Sequence, residues 1–119
     1  MSRPTTITLI APNGAKVRTV FSKRYFVVGY WSDPIRENGA IVGRVDHATI
    51  VRRTDSSMAA LAALRKHSHS VVIAVSNDGQ FKNTLTLTEV EDRAYTEKTT
   101  KQFAARQGNI GLARSRFPY

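Results

Sequence analysis

Five of the chain's ten aromatic residues, Phe21, Tyr25, Phe26, Tyr30 and Trp31, fall close together and are interleaved with Lys23 and Arg24. Aromatic faces on a strand beside cations make a base-stacking platform. Each stacked base contributes about 1–3 kcal/mol while the cations hold phosphates. The same run, Tyr25 to Trp31, also suits a buried central strand. Tyr25, Val27, Gly29 and Trp31 would then face one core layer, and Phe26, Val28 and Tyr30 the other.

Other reactive groups form no recognisable constellation. His47, His67 and His69, with Asp46 beside the first, are three candidate nitrogen ligands. The pair His67 and His69 sits at a predicted helix exit, and His47 lies twenty residues upstream, with no metal-site spacing between them. With no cysteine, disulfides, thiolate catalysis and cysteine-ligated metals are excluded. No Gly-x-Ser-x-Gly elbow, Gly-x-Gly-x-x-Gly turn or Walker-type loop occurs. Glu89, Glu91 and Asp92 could make a carboxylate site, but a predicted first helical turn explains them through the helix dipole. The sequence predicts a binding protein and not an enzyme, with no cofactor and no metal.

Charge gives the clearest functional signal. The chain has 18 Lys plus Arg against 9 Asp plus Glu, a net charge of +9. Residues 1 to 32 carry five cations (Arg3, Lys16, Arg18, Lys23, Arg24) and no anion, and residues 98 to 119 carry five more (Lys98, Lys101, Arg106, Arg114, Arg116) and no anion. If the two ends meet in space they form one basic surface suited to phosphate contacts and salt-dependent affinity. The candidate nucleic-acid set is therefore Lys16, Arg18, Lys23, Arg24, Tyr30, Trp31, Arg106, Arg114 and Arg116.

These residues need elements to hold them. With 119 residues and 41% hydrophobic content the chain makes one domain, which at this size buries about 65% of its unfolded surface. Thr6 to Ala11 and Ala15 to Phe21 alternate apolar and polar residues around Asn13-Gly14, which predicts a hairpin with a type I′ turn. Arg24 to Trp31 reads as the central strand, stopped by Ser32-Asp33-Pro34. Residues 40 to 53 have β-branched content for one long bent strand or two short ones; the sequence favours a strand over 47 to 53, with 40 to 45 as its partner. Thr54-Asp55-Ser56-Ser57 caps a helix beginning at Met58, in which Met58, Leu61, Ala62 and Arg65 share a face. Ser70 to Ser76 and Phe81 to Leu87 flank the turn Asn77-Asp78-Gly79. Thr88-Glu89-Val90-Glu91 matches a capping box opening a helix over about 89 to 106. The order is β-β-β-β-α-β-β-α, which predicts an α+β fold with a mainly antiparallel sheet and helices packed on one face. The domain spans 1–107, and 108–119 reads as a flexible basic tail.

The order Lys23-Arg24-Tyr25-Phe26-Val27-Val28-Gly29-Tyr30 is similar to the aromatic strand of an RNA-recognition sheet, but it lacks two small-residue positions of that signature and the element order differs. The segments Ser22 to Val28 and Ile50 to Ser56 resemble small orphan proteins encoded by actinobacteriophages. That resemblance implies an accessory or host-takeover role in the bacterial cytoplasm through binding to a host component. It carries no binding residues. No apolar run is long enough for a membrane span or signal peptide, so the sequence reads as soluble and cytoplasmic. Two expectations stand: a basic nucleic-acid binder using the set above, or an interaction module whose sheet edge or first helix docks on a host protein or on a second copy as a homodimer.

Overall fold

The computed structural model describes residues 5–116, with residues 105–116 described as backbone only. The elements are β1 (Thr6–Ile10), β2 (Lys16–Val20), β3 (Tyr25–Glu37), β4 (Ala40–Thr54), α1 (Ser57–Lys66), β5 (Ser70–Val75), β6 (Lys82–Leu85) and α2 (Leu87–Arg116). The fold is α+β, as the sequence predicts. β4, β3, β5 and β6 form one antiparallel sheet in that order, and β1 and β2 form a separate two-stranded sheet.

Three layers result from alternation along β3. Phe26 and Val28 face the β1–β2 hairpin, where Ile7, Leu9 and Ala11 meet Ile73 and Val75. Tyr25 and Val27 face the opposite way and pack with Ala60 and Ala63 of α1, Leu85, and Val90 of α2. Both helices thus cover one face and the hairpin covers the other. Phe26, Val27 and Val28 are completely buried, which follows from a strand with neighbours on both edges and cover on both faces.

Beyond Gly29 the surroundings change. β5 pairs with β3 only from Tyr25 to Gly29, while β4 follows β3 to its end at Glu37. The predicted stop at Ser32-Asp33-Pro34 is therefore incorrect: those residues lie inside a two-stranded ribbon, with Pro34 opposite Arg44. The Tyr30 N–H donates to the His69 carbonyl at 2.9 Å, away from β4. By the two-residue period Ser32 and Pro34 also turn their backbone groups outward. Pro34 thus aims its missing N–H at an edge where no ladder bond is needed. The two expected strands at 40 to 45 and 47 to 53 are one continuous β4. It is bent by register shifts between Val27 and Val28 and between Ile35 and Arg36.

The turns also differ from the expectation. Asn38 (φ 50°) and Gly39 (φ 80°) both lie in the left-handed region, so the type I′ turn joins β3 to β4. At the first hairpin only Gly14 (φ 90°) is left-handed. Pro12 has no N–H to close the ladder beside a two-residue turn, and its fixed φ suits the first central position of an ordinary turn, closed by the Gly14 N–H on the Ala11 carbonyl at 2.9 Å.

The α1 N-cap is Ser56, whose Oγ accepts from the Ala59 N–H at 3.2 Å. The capping box of α2 lies two residues before the predicted one. Glu89 Oε1 accepts from the Thr86 N–H and Thr86 Oγ1 accepts from the Glu89 N–H, both at 3.2 Å. β6 accordingly ends at Leu85 rather than Leu87. The α2 backbone runs on through Arg116, past the boundary expected near 107. Residues 117–119 of the predicted tail lie outside the described residues.

Candidate protein-interaction surface

The ribbon is built by the Asn38-Gly39 turn and the β3–β4 ladder, and the core stops before it. Every residue from Trp31 to Val45 is exposed. Within that stretch Trp31 is 47% exposed, Ile35 42%, Ile41 63%, Val42 57% and Val45 45%. Large apolar side chains gathered in this way on an outlying element make it a candidate contact surface.

The register sorts the ribbon into two faces. Trp31, Asp33 and Ile35 lie opposite His47, Val45 and Gly43, so these six share a face. On it the Trp31 and His47 rings stack with centroids 5.2 Å apart and planes 22° from parallel. His47 Nε2 lies 3.1 Å from Asp33 Oδ2. The other face carries a polar cluster beside Pro34 and Ile41. Ser32 Oγ donates to Asp46 Oδ1 at 2.5 Å, and Arg44 Nε lies 3.3 Å from the same oxygen.

Asn13 locks the ribbon base to the first hairpin. Its Nδ2 donates to the Trp31 carbonyl at 3.1 Å and to the His47 carbonyl at 3.2 Å, while its Oδ1 accepts from the Ala15 N–H at 3.1 Å. One amide side chain thus ties both strands of the ribbon to the first hairpin.

Among the described residues, the predicted nucleic-acid set lies in several different surroundings. Lys16 and Arg18 are exposed on the outer face of the hairpin. Lys23 lies 3.5 Å from Asp55 Oδ2, and the Arg24 N–H donates to Asp55 Oδ1 at 2.9 Å, so this pair sits beside a carboxylate. The Arg24 side chain borders a groove that also contains Asp92, Arg93 and Glu97. Tyr30 is half-buried against the hairpin layer, and Trp31 is exposed. The side chains of Arg106, Arg114 and Arg116 lie outside what is described.

The aromatics meet different cations. A cavity of about 330 Å³ at the ribbon base is lined by Tyr30 and Trp31 together with Lys66, His67 and His69. It opens on the helix side of the sheet, opposite the face that carries Lys16 and Arg18. Among the described residues no three histidine or carboxylate side chains converge on one point. His67 and His69 belong to this cavity wall, and His47 to the Trp31 stack.

A second organised polar site joins the helices. Glu97 of α2 accepts at Oε2 from the Ser56 hydroxyl and the Met58 N–H, both at 2.8 Å, and from the Ser57 hydroxyl at 3.4 Å. Its carboxylate occupies the positive end of the α1 dipole. Partial burial raises the Glu97 pKa, but the Met58 amide, the Ser56 hydroxyl, Lys101 and the Ser57 hydroxyl together outweigh it, leaving the carboxyl below its ordinary value. Sequence spacing gave no signal for this contact across 41 residues. The face of Met58, Leu61, Ala62 and Arg65 looks across a groove of about 400 Å³ at Glu91, Ala94 and Tyr95 of α2. Ala60 and Ala63 turn instead to the sheet.

Comparison with known proteins finds no matching family model, no matching curated protein and no matching solved structure. No helix among the described residues is long and apolar enough to cross a membrane.

Proposed function

We propose that the protein is a non-enzymatic interaction module that docks on another protein, of a host or of its own kind, through the β3–β4 ribbon. The observation that carries this reading is the set of five exposed apolar side chains between Trp31 and Val45, on an element whose outer half has no cover on either face. Ribbon residues 30–48 hold two cations, Arg36 and Arg44, against three anions, Asp33, Glu37 and Asp46. The ribbon is therefore net negative within a strongly basic chain and poorly suited to recruit phosphates by charge, while the basic remainder steers the encounter. The test is photo-crosslinking in the cell that makes the protein, with a benzophenone side chain at Ile41 or Val45 and, as control, at the still more exposed Phe81. Protein adducts from the ribbon positions and none from Phe81 support the reading; a silent ribbon removes it.

A second reading keeps nucleic acid as ligand, with a different set of cations from that expected. Trp31 presents an exposed indole beside Lys66, His67 and His69 in a cavity lined by no carboxylate among the described residues. This arrangement suits one stacked base with its phosphate. Titration with single-stranded DNA should quench Trp31 fluorescence, with an affinity that falls with salt and weakens in Lys66→Ala. No binding at low salt ends this second reading.

A further inference from the structure

The outer edge of β4 has a chemistry of its own. β4 is the end strand of its sheet, and among the described residues no strand pairs with its far side. Tyr30, Ser32 and Pro34 turn their backbone groups away from β4, so their partners Ala48, Asp46 and Arg44 turn theirs away from β3. Arg44, Asp46 and Ala48 therefore present free N–H and C=O groups along an open edge, a template for another strand.

We propose that this edge pairs with the same edge of a second copy, antiparallel about a two-fold axis through Val45, an inference that rests on the ribbon being the interaction surface. An antiparallel ladder must set outward residues opposite outward residues, which leaves few registers. Centring on Arg44 puts two guanidiniums opposite each other, and centring on Asp46 does the same with two carboxylates; like charges directly opposite are destabilising. Centring on Val45 puts Arg44 opposite the partner's Asp46, and the two-fold axis repeats the pair. Each Asp46 already holds its own Arg44 at 3.3 Å, so the dimer closes a ring of four alternating charges. Sliding by one more step sets Asp46 opposite Ala48 and loses both new pairs. The Val45 register also brings two valines together on the axis, on the face that carries Trp31 and Ile35. The apolar stripes of the two ribbons then become one surface.

The test is sedimentation velocity of the full chain over a range of concentrations, with single and double charge reversals. The expected result is a monomer–dimer equilibrium. Arg44→Asp and Asp46→Arg should each weaken it about tenfold by creating two like-charge oppositions, and the double exchange should restore it. Amide exchange gives a readout that needs no variant: the Arg44, Asp46 and Ala48 N–H groups should exchange more slowly in concentrated than in dilute protein. A chain that stays monomeric throughout, or a dimer indifferent to both reversals with unchanged edge exchange, overturns the pairing. In either case protein adducts from Ile41 would show that the ribbon still serves a different partner, whereas a silent ribbon would remove both readings.

Discussion

β3 contains two regions that share a backbone and little else. From Tyr25 to Val28 the strand has neighbours on both edges and cover on both faces, and all four side chains are buried. From Trp31 to Glu37 it has one neighbour, no cover and only exposed side chains. The inner part is stabilised by what it excludes from water. The outer part is held by a two-residue turn, a ladder and one asparagine. A strand can therefore carry the core in one half and present a surface in the other, with removal of the second costing the first little.

The comparison is tested first at its strong end. Phe26→Ala should lower global stability by about 3–5 kcal/mol in denaturant unfolding, because it leaves a cavity between hairpin and sheet. A much smaller loss would mean that the hairpin layer packs loosely.

Glu97→Ala is expected to cost about 2 kcal/mol, since it leaves the first turn of α1 without its charged acceptor. The folded protein takes up the Glu97 proton less readily than the unfolded chain. This contribution is accordingly complete above the ordinary glutamate range and is lost as pH falls below it. Wild type and variant should converge in stability on acidification, measured by urea midpoints across pH. Parallel curves would mean that the contact is structural but not ionic.

Gly39→Ala forces a side chain into left-handed backbone at φ 80° and should cost about 1 kcal/mol or more locally. Hydrogen exchange should show ribbon amides opening faster while the Phe26 and Val72 amides stay unchanged. Equal acceleration in both places would join the two regions into one cooperative unit. The smallest effect belongs to Ile35→Ser, which should move global stability by no more than about 0.5 kcal/mol. A larger loss would mean that the ribbon is part of the core.

The inner region was legible in sequence because continuous burial leaves a continuous apolar run, and Tyr25 to Val28 is one. The alternation that sends Tyr25 and Val27 one way and Phe26 and Val28 the other follows from the period of a strand alone. The outer region was misread at Pro34. A proline stops a strand flanked on both sides, and whether the missing N–H faces a neighbour or an open edge depends on where β5 ends. Asn13-Gly14 has the composition of an I′ turn, but Pro12 before it lacks the N–H that would close the ladder beside such a turn. Asn38-Gly39 has the same composition and no such obstacle. On the functional side, the sequence sets Lys23 and Arg24 near Trp31 along the chain, whereas in the fold Trp31 shares a cavity with Lys66, His67 and His69. Lys66, His67 and His69 reach it by tertiary packing across more than thirty residues, as Glu97 reaches Ser56, and no periodicity encodes such pairs.

Pro34 has one more consequence, for how large an assembly can grow. A ribbon with two equivalent open edges could add copies on either side without limit, and the product would be a filament. Here the β4 edge offers a full set of donors and acceptors, whereas the β3 edge is interrupted by a residue that cannot donate. Copies joined by the first edge would leave only the blunted β3 edges of their ribbons outside, so the pairing proposed above would close at two ribbons and could not propagate through them.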